Sequence, residues 1–343
     1  MLHPPISIKS ASMIFGAFFC LLLSCCGEEK STASTEDWNN QTETAPSSSQ
    51  MVSTEEPVQP DSSAITESEP SGNVRFLAYN LRNYLTMIRY IDGKANRRGK
   101  PEEEISAVLK VIVNGKPDIL GLCEIGSKKD LSDLQQRLAK LGLDLPHAHL
   151  VQGADTVRSL AILSKYPIVA TAKPKVDSYT LSGNPFQISR GVLDASIRLP
   201  NKTVRFIGAH LKSKRPIKEA DEEMMRRNEA GIVRKHIDTI LTDDPKAMLM
   251  VYGDLNDTKR TKSVYTIKGR ANSRKRLEMI ELADSRGELW THHWKREDIY
   301  SRIDFCMSSL ALTPFIDQEN SKILDPADWE TGSDHRALLV IIK

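Results

Sequence analysis

Cysteine is scarce in this sequence, and no apolar run in it is long enough for a membrane-spanning helix. Three of the five cysteines lie within the first 26 of 343 residues, which leaves Cys123 and Cys306 for the rest of the chain. Two such distant residues exclude the dense disulfide framework of small secreted domains, and we expect both to be buried strand thiols. The apolar stretch from Ala11 to Leu23 is too short to cross a bilayer.

This apolar stretch has the form of a targeting signal. Lys9 precedes it, and it ends in Leu22-Leu23-Ser24-Cys25, which resembles a bacterial lipobox. The resemblance implies cleavage before Cys25 and lipidation of Cys25, so residues 1–24 are predicted to be a lipoprotein signal peptide. An ordinary secretory signal or a short anchor helix is the alternative. The lipobox predicts an extracytoplasmic protein, lipid-anchored to a bacterial membrane at the outer membrane or cell surface.

Residues 25–72 lack a periodic apolar pattern and are rich in Ser, Thr, Glu and Pro. Such a segment does not bury enough apolar surface to offset its ordering entropy, so we expect a disordered tether after the lipidated cysteine. Residues 28–72 carry a net charge of −9, whereas residues 73–343 carry +10. The overall charge of +2 therefore hides an acidic leader and a basic core, and basic cores often meet anionic partners.

Strand-like and helix-like segments alternate in part along residues 73–343, which we expect to form one catalytic domain. Helical spacing of apolar residues predicts a helix over Glu102 to Val113, and a long charged helix is predicted over Glu219 to Leu241. Two strands that flank Pro200-Asn201 predict a hairpin. Arg89 to Lys100 is interpreted as a basic loop, and His292 with His293 is placed on a polar loop. The predicted class is α/β with mixed sheets.

The segment Met248 to Asp257 is the most informative one. Its apolar run ends in Gly253, and Asp254 and Asn256 follow. A buried strand that ends in a polar turn is a common carrier of catalytic groups, but Asp and Asn also favour ordinary turns. This segment alone does not separate the two interpretations.

Polar side chains recur at the ends of the other predicted strands. These side chains are Asn80, Glu124, His210, Asp254 with Asn256, Asp304, and Asp334 with His335. Turn formation alone does not account for so many carboxylates, imidazoles and carboxamides at strand ends. If the ends converge, they form an acidic pocket with two histidines, which suits a divalent cation that prefers oxygen ligands.

The same residues lie in motifs that resemble a known family. Tyr-Asn-Leu-Arg-Asn, Asp-Ile-Leu-Gly-Leu-Cys-Glu, His-Leu-Lys-Ser, Gly-Asp-Leu-Asn-Asp, Arg-Ile-Asp-Phe and Ser-Asp-His-Arg follow one another in this order. Together they resemble the endonuclease/exonuclease/phosphatase superfamily over about residues 74–342. The resemblance implies a four-layer α/β sandwich, with two packed mixed sheets flanked by helices. It also implies metal-dependent phosphoester hydrolysis in a cleft at one end.

The resemblance assigns roles to individual residues. Glu124 is expected to be the main Mg²⁺ ligand, with Asn80 and Asp334 beside the metal; Mn²⁺ and Ca²⁺ remain alternatives. Asp254 is expected to orient or deprotonate the attacking water, and Asn256 to hold water or a phosphoryl oxygen. His335 is expected beside the phosphate, with Asp304 fixing its tautomer and favouring its charged form. His210 is the second histidine.

Two positions depart from the family pattern. Cys123 stands where the family often has Gln, and Arg82 stands where some members have Asp, which weakens the case for a second metal. The partner of His210 is not evident from the sequence, and Asp155 is the nearest candidate.

Basic residues provide the main indication of the substrate. Lys259 to Arg276 holds eight Lys or Arg and no acid. Its position after the Asp254 loop favours contact with a nucleic-acid backbone over a solvated loop. The residues predicted to bind substrate are Arg190, Lys212, Lys259, Arg260 and Arg274. A monomeric extracytoplasmic nuclease is favoured. The alternatives are a phosphatase or lipid phosphodiesterase on the same scaffold, or a catalytically silent nucleic-acid-binding lipoprotein.

Overall fold

The structure, a computed structural model, describes residues 72–343. The predicted signal peptide, Cys25 and almost all of the predicted tether lie outside the described residues. In chain order, the strands are β1 (Val74–Tyr84), β2 (Met87–Ile91), β3 (Lys94–Arg98), β4 (Ile119–Ile125), β5 (His147–Gln152), β6 (Ser159–Ser164), β7 (Ile168–Thr171), β8 (Ser178–Leu181), β9 (Asn184–Gln187), β10 (Val192–Arg198), β11 (Thr203–Ala209), β12 (Leu249–Asp254), β13 (Leu277–Met279), β14 (His292–Trp294), β15 (Ile299–Ser301), β16 (Asp304–Ser309), β17 (Ile316–Ile323) and β18 (Leu338–Ile342).

The helices are α1 (Glu102–Gly115), α2 (Lys128–Lys140), α3 (Glu222–Asp243), α4 (Lys262–Lys268) and α5 (Trp329–Gly332), with a 3₁₀ turn at Thr313–Phe315. Local chemistry explains two of the helix starts. Ser127 and Asp130 form a reciprocal capping box at α2, and the Asp221 side chain accepts a hydrogen bond from the Met224 N–H at the start of α3. None of the helices in residues 72–343 has the length and apolar character needed to cross a membrane.

Two six-stranded mixed sheets make up the centre of the fold. The first sheet has the order β17-β18-β1-β4-β6-β5, and the second has the order β13-β16-β12-β11-β10-β7. In each sheet one parallel pair lies at the centre, β1 with β4 and β11 with β12, while the other pairs are antiparallel. Because parallel strands end at the same edge of a sheet, these four strands bring their carboxyl ends together in pairs.

Three apolar clusters show that the fold has four layers. One cluster lies between the sheets and joins residues such as Phe76 and Ile162 of the first sheet to Phe206 and Met250 of the second. A second cluster packs the first sheet against α1 and α2, and a third packs the second sheet against α3 and α4. The predicted four-layer α/β sandwich is therefore confirmed.

A single aromatic ring fills the space between the two sheets below the strand ends. Tyr252 of β12 is 1% exposed and packs edge-on against Phe76. A Cβ atom at Gly121 of β4 would lie 2.3 Å from this ring, and one at Gly208 of β11 would lie 2.9 Å from its hydroxyl. The ring therefore occupies room that only glycine leaves at these two positions.

Several sequence predictions of local structure are confirmed, and others are wrong. Cys123 and Cys306 are free, buried thiols in strands, as expected. The segment Arg89 to Lys100, interpreted as a loop, instead forms most of the β2–β3 hairpin. His292 and His293 lie in strand β14, which pairs with β15 and is not a loop.

Candidate active site

All eight side chains predicted to act in catalysis or metal binding gather at one edge of the sandwich. They are Asn80, Glu124, His210, Asp254, Asn256, Asp304, Asp334 and His335. Asn80 and Glu124 come from the parallel pair of the first sheet, and His210 and Asp254 come from the ends of the parallel pair of the second. Asp304 begins β16 and is directly opposite Asp254 in the antiparallel register. Strand topology thus explains the convergence.

The backbone of Glu124 has an unusual conformation that redirects its side chain. Its φ is 62°, and the pairing of β4 shifts register at this residue on both sides of the strand. A bulge of this kind commonly re-aims a side chain at a functional site. The Glu124 Oε2 atom accepts a hydrogen bond from the Asn83 N–H at 3.0 Å. Asn83 also has a positive φ, so the bulged segments of both strands support this carboxylate.

Asp254 is the centre of the cluster. Its Oδ2 atom lies 3.1 Å from Asn80 Nδ2, 3.5 Å from His210 Nε2 and 3.8 Å from His335 Nε2. Its Oδ1 atom accepts a hydrogen bond from the Asn256 N–H at 2.8 Å. The preceding Gly253 has φ of 133°, and a Cβ atom there would lie 1.9 Å from the Ala209 carbonyl oxygen. Glycine is therefore required immediately before Asp254.

A hydrogen-bonded chain fixes the orientation of His335. The Asp304 Oδ2 atom lies 2.8 Å from His335 Nδ1 and also accepts a hydrogen bond from the Thr291 hydroxyl at 2.7 Å. The Thr291 hydroxyl oxygen in turn accepts hydrogen bonds from the backbone N–H groups of Ile303 and Asp304. The geometry matches the predicted pairing of Asp304 with His335. Thr291 is an additional member that the sequence motifs did not indicate.

His210 has a different environment from His335. Asp155, its candidate partner, instead contacts two arginines, with its Oδ2 atom 3.5 Å from Arg158 Nη1 and 3.6 Å from Arg190 Nε. That pairing prediction is wrong, because the backbone N–H groups of Val157 and Arg158 hold Asp155 in a local turn. No described residue gives the buried His210 Nδ1 atom a hydrogen bond.

The two histidines have pKa values shifted in opposite directions. Burial, followed by the nearby charges of Arg190, His335 and Arg158, holds the pKa of His210 well below its usual value. Burial alone would also lower the pKa of His335, but the Asp304 and Asp254 carboxylates more than offset it and raise the pKa to about 10. Of these two imidazoles, His210 therefore favours the neutral form and His335 the charged form at neutral pH.

The carboxylate between them is also perturbed. Burial, followed by repulsion from Asp304, raises the pKa of Asp254 to about 7, although the charge of His335 opposes this. A carboxyl group with a pKa near the working pH is well suited to general base catalysis. The raised pKa and the central position of Asp254 both favour a role as general base.

The donor chemistry fits a divalent cation that prefers oxygen ligands. Glu124 Oε1 and both carboxylate oxygens of Asp334 have no hydrogen bond from any described residue, and their nearest salt-bridge partners lie 3.8 to 4.0 Å away. Both side chains are partly exposed, whereas the Asp254 and Asp304 carboxylates are buried and hydrogen-bonded. Glu124 and Asp334 therefore have free oxygen atoms for a metal, as Mg²⁺ prefers.

Among residues 72–343, two residue triplets place potential ligand atoms within 4.8 Å of one another, and neither contains Glu124. One is Asp254, Asp304 and His335, and the other is His292, Asp334 and His335. A charged imidazole has no free lone pair for a metal, and His335 Nδ1 already contacts Asp304. The first triplet is therefore better explained as a hydrogen-bonded acid–base chain. In the second, Asp334 and His292 are the available ligands.

His292 is a third histidine at the site, which the sequence analysis missed. Its backbone forms an isolated bridge with His335, and the two ring centroids lie 4.6 Å apart. Its Nε2 atom is 4.0 Å from Asp334 Oδ2. Burial, followed by the charge of His335, lowers the pKa of His292 to about 4. No motif marks His292, because the pairing that places it here is non-local.

The predicted substrate-binding residues occupy three kinds of position. Arg190 lies at the site through its contact with Asp155, whereas Lys212 Nζ donates to the carbonyls of Ser213 and Arg215. Lys259 pairs with Glu281, while Arg260 and Arg274 are exposed. The structure brings none of these last three into contact with the described catalytic cluster. Their role in binding phosphate remains a prediction.

Comparisons with known proteins agree with this architecture. Residues 91–291, more than half of the chain, match the model of the endonuclease/exonuclease/phosphatase family. No curated protein sequence gives a significant match. The catalytic domain of human nocturnin with a bound sulfate anion is similar in fold, at 17% identity and a TM-score of 0.56, with 79% of this chain and 94% of that chain covered.

Two bacterial structures share the fold as well. An endonuclease/exonuclease/phosphatase from Bacteroides vulgatus is 16% identical, with a TM-score of 0.55 and coverage of 79% of this chain and 98% of that chain. Sphingomyelinase C from Streptomyces griseocarneus is 13% identical, with a TM-score of 0.52 and coverage of 79% and 99%. Together with the family match, the converging strand ends lead to one conclusion: this chain belongs to the endonuclease/exonuclease/phosphatase family.

Proposed function

We propose that this protein is a divalent-metal-dependent phosphodiester hydrolase that cuts nucleic acid. The observation that carries the proposal is the position of Asp254, a buried carboxylate with a raised pKa that lies within 4 Å of one neutral and one charged imidazole. Carboxylates, imidazoles and free oxygen ligands at a single strand edge are the groups that activated-water attack on phosphorus requires. A protein that only bound nucleic acid would not need this arrangement.

Each residue has a distinct part in the proposed reaction. Asp254 accepts a proton from the attacking water, and Asn80 and Asn256 hold the carboxylate in place through their side-chain amides and the Asn256 N–H. His335, kept charged by Asp304, stabilises the negative charge that grows on the phosphoryl oxygens. Glu124, Asp334 and Asn80 would hold the metal ion, which would polarise those oxygens. In-line attack by water leaves no covalent enzyme intermediate.

Arg158 and Arg190 complete the electrostatic environment. Asp155 contacts both guanidinium groups, and Arg158 Nε lies 3.8 Å from Glu124 Oε2. The Arg190 Nε atom is buried and makes no hydrogen bond to a described residue. Two arginines beside a carboxylate-rich site are suited to an anionic substrate, because guanidinium groups bind phosphate oxygens in pairs.

The experiment is a hydrolysis assay of the full chain with bis(p-nitrophenyl) phosphate, plasmid DNA and an RNA oligonucleotide, with Mg²⁺ or EDTA. We expect cleavage that depends on the cation and is lost in Asp254→Asn. Calorimetric titration with Mn²⁺ supplies an independent readout, and Glu124→Gln is expected to abolish that binding. A wild-type chain that hydrolyses no phosphodiester with any divalent cation would refute the proposal and favour a silent binding protein.

A lipid phosphodiester is the second candidate substrate. One structural relative is named sphingomyelinase C, and the lipobox-like segment that ends at Cys25 would place this chain at a membrane. Cleavage of sphingomyelin or phosphatidylcholine vesicles, with no cleavage of DNA or RNA, would support this alternative. We also propose that Cys25 carries a lipid, and that Cys25→Ala releases the protein from the membrane fraction or blocks its processing.

A further inference from the structure

A groove of about 550 Å³ lies beside the catalytic cluster. It is bounded by the β2–β3 hairpin, the start of α2 and the turn before β6, and its lining includes Ile88, Arg97, Gly126, Lys129 and Arg158. Gly126 follows the metal-ligand candidate Glu124 by two residues, and Arg158 lies at the groove and 3.8 Å from Glu124. The groove therefore lies next to Glu124, at the edge of the site where a phosphodiester would be cut.

The groove is basic, and its charges are largely uncommitted. Arg97 and Lys129 are exposed, and neither has an acidic partner within 4 Å among residues 72–343. Asp130 is the acid among the lining residues, and its Oδ2 atom is already engaged by the N–H and hydroxyl of Ser127 at 2.7 Å each. A polyanion would therefore meet free cations here.

One aliphatic and one aromatic side chain accompany these cations. In the hairpin register Ile88 is opposite Arg97, so both lie on the face that lines the groove. Tyr90 follows Ile88 by two residues, so it shares this face, nearer the hairpin tip, and it is 78% exposed. An exposed aromatic ring beside cations is the arrangement on which single-stranded bases stack while their backbone is held electrostatically.

The two ends of the basic segment Lys259 to Arg276 are less well placed for this task, since both are paired with acids and the Arg276 end is also distant. Lys259 and Arg276 pair with Glu281 and Glu278. Arg276 precedes Leu277, which is opposite Ser309, and Ser309 is five residues along β16 from Asp304. At about 3.4 Å per residue, that is roughly 17 Å from the catalytic residues.

We propose, building on the proposed hydrolase activity, that this groove binds the single strand of a polynucleotide on one side of the bond that is cut. Arg158 contacts the phosphate nearest Glu124, Lys129 and Arg97 contact the neighbouring phosphates, and Ile88 and Tyr90 pack against bases. The proposed substrate class is therefore a single-stranded or locally unpaired nucleic acid. Such a strand leaves its bases free to pack against Ile88 and Tyr90.

The test compares two double variants of the full chain with equal loss of charge. Arg97→Ser with Lys129→Ser removes the two free groove cations. Lys262→Ser with Arg270→Ser is the control, because these exposed side chains lie on the other basic segment and line a different pocket. All proteins carry Asp254→Asn to prevent cutting, and thermal melts confirm that they are folded. Binding of a fluorescent twelve-nucleotide single strand is measured by anisotropy from 50 to 300 mM salt.

The groove variant is expected to bind on the order of tenfold more weakly, with a log–log salt slope smaller by about 1.4, since each single-strand phosphate contact contributes about 0.7. The control should match its parent. With Asp254 restored, the groove variant should hydrolyse bis(p-nitrophenyl) phosphate at the wild-type rate, since that substrate is too small to reach Arg97.

Other results would overturn the groove assignment. Equal losses of oligonucleotide affinity in both double variants would show a general charge effect. Unchanged affinity in the groove variant would show that the groove does not bind the strand. Weaker binding to phosphatidylcholine:phosphatidylglycerol vesicles with unchanged oligonucleotide binding would assign the groove to a membrane. Because the small phosphodiester is assayed separately, a failed groove and a failed hydrolase proposal give different results.

Discussion

On the outer face of the second sheet, beneath α3, the buried Asp194 carboxylate is held by one arginine and one histidine. Arg205 donates two hydrogen bonds to it, and His236 Nε2 lies 2.6 Å from its Oδ2 atom. At the strand ends, by contrast, Asp254 and Asp304 are opposite each other on neighbouring strands, and His335 is the charged group that lies within 4 Å of both carboxylates. The first region compensates its buried charge fully, and the second keeps an excess of carboxylate. Excess charge marks the region that is built for a cation and a reaction rather than for stability.

The largest difference between these two regions is expected in turnover, which Asp254→Asn should reduce the most. The substitution keeps the size of the side chain but removes its charge and basicity. We expect a loss of about a thousandfold in kcat, within the range of general acid–base catalysis, with little change in substrate affinity. Asp317→Asn, an acid next to Lys343 and away from the site, is the matched control and should keep full activity. Equal losses of binding and turnover would instead indicate a structural role.

The next largest effect is expected in Asp304→Asn. Without the carboxylate the pKa of His335 should fall from its raised value, because Asp304 is the main group that opposes the effect of burial. We expect roughly a hundredfold loss of kcat, since a neutral imidazole stabilises phosphoryl charge less well. NMR titration of the His335 ring checks the cause directly. A His335 titration equal to that of wild type would contradict this account.

Asp194→Asn should affect stability and leave chemistry intact. The substitution removes the carboxylate charge that Arg205 pairs with, and breaking this largely buried ion pair costs about 3 kcal/mol. Burial alone would raise the pKa of Asp194, but His236 and Arg205 more than offset this and lower it. The stabilisation is therefore present above about pH 4 and is lost as the pH falls through the lowered pKa.

Urea unfolding at several pH values measures this effect. The gap in unfolding free energy between wild type and Asp194→Asn should narrow below about pH 4, while kcat at pH 7 stays near that of wild type. A gap that does not change with pH would mean that Asp194 stabilises the fold by packing alone.

The smallest effect is expected to be a gain in stability at the active site. Glu124→Gln removes one carboxylate from the overcharged site, so the metal-free protein should unfold with a free energy higher by about 0.5 kcal/mol. Addition of Mg²⁺ should raise the melting temperature of wild type but not that of the variant. Loss of stability in the metal-free variant would show that the Asn83 hydrogen bond outweighs the relief of repulsion.

The sequence predicted the catalytic residues better than their surroundings. Asp254 and Glu124 lie at the end of apolar runs and His335 lies just before one, and a strand end is visible in a local pattern. Thr291 and Arg158 carry no such pattern, because Thr291 lies just before the short β14–β15 hairpin and Arg158 lies on the turn before β6. The basic loop at Arg89 to Lys100 was mistaken for irregular structure because an exposed hairpin buries neither face and so lacks an apolar alternation.

The basic segment Lys259 to Arg276 shows a second limit. Closeness in sequence to Asp254 suggested closeness in space, but α4 packs on α3 and carries the segment along the second sheet toward Ser309. The sequence did not reveal in which direction the chain runs after the Asp254 turn. That direction is set by tertiary packing, and a count of charged residues gives no information about packing.

Tyr252 has a role that the chemistry of the site alone would not reveal. Asn80 and Glu124 belong to one sheet and His210 and Asp254 to the other, so the spacing of the two halves of the active site depends on the side chains packed between the sheets beneath them. The Tyr252 ring, seated against Gly121 and Gly208, acts as a spacer that sets the gap between those halves. A methyl group added at either glycine would widen the gap, so a change that touches no reacting group would still put the acid–base residues out of alignment.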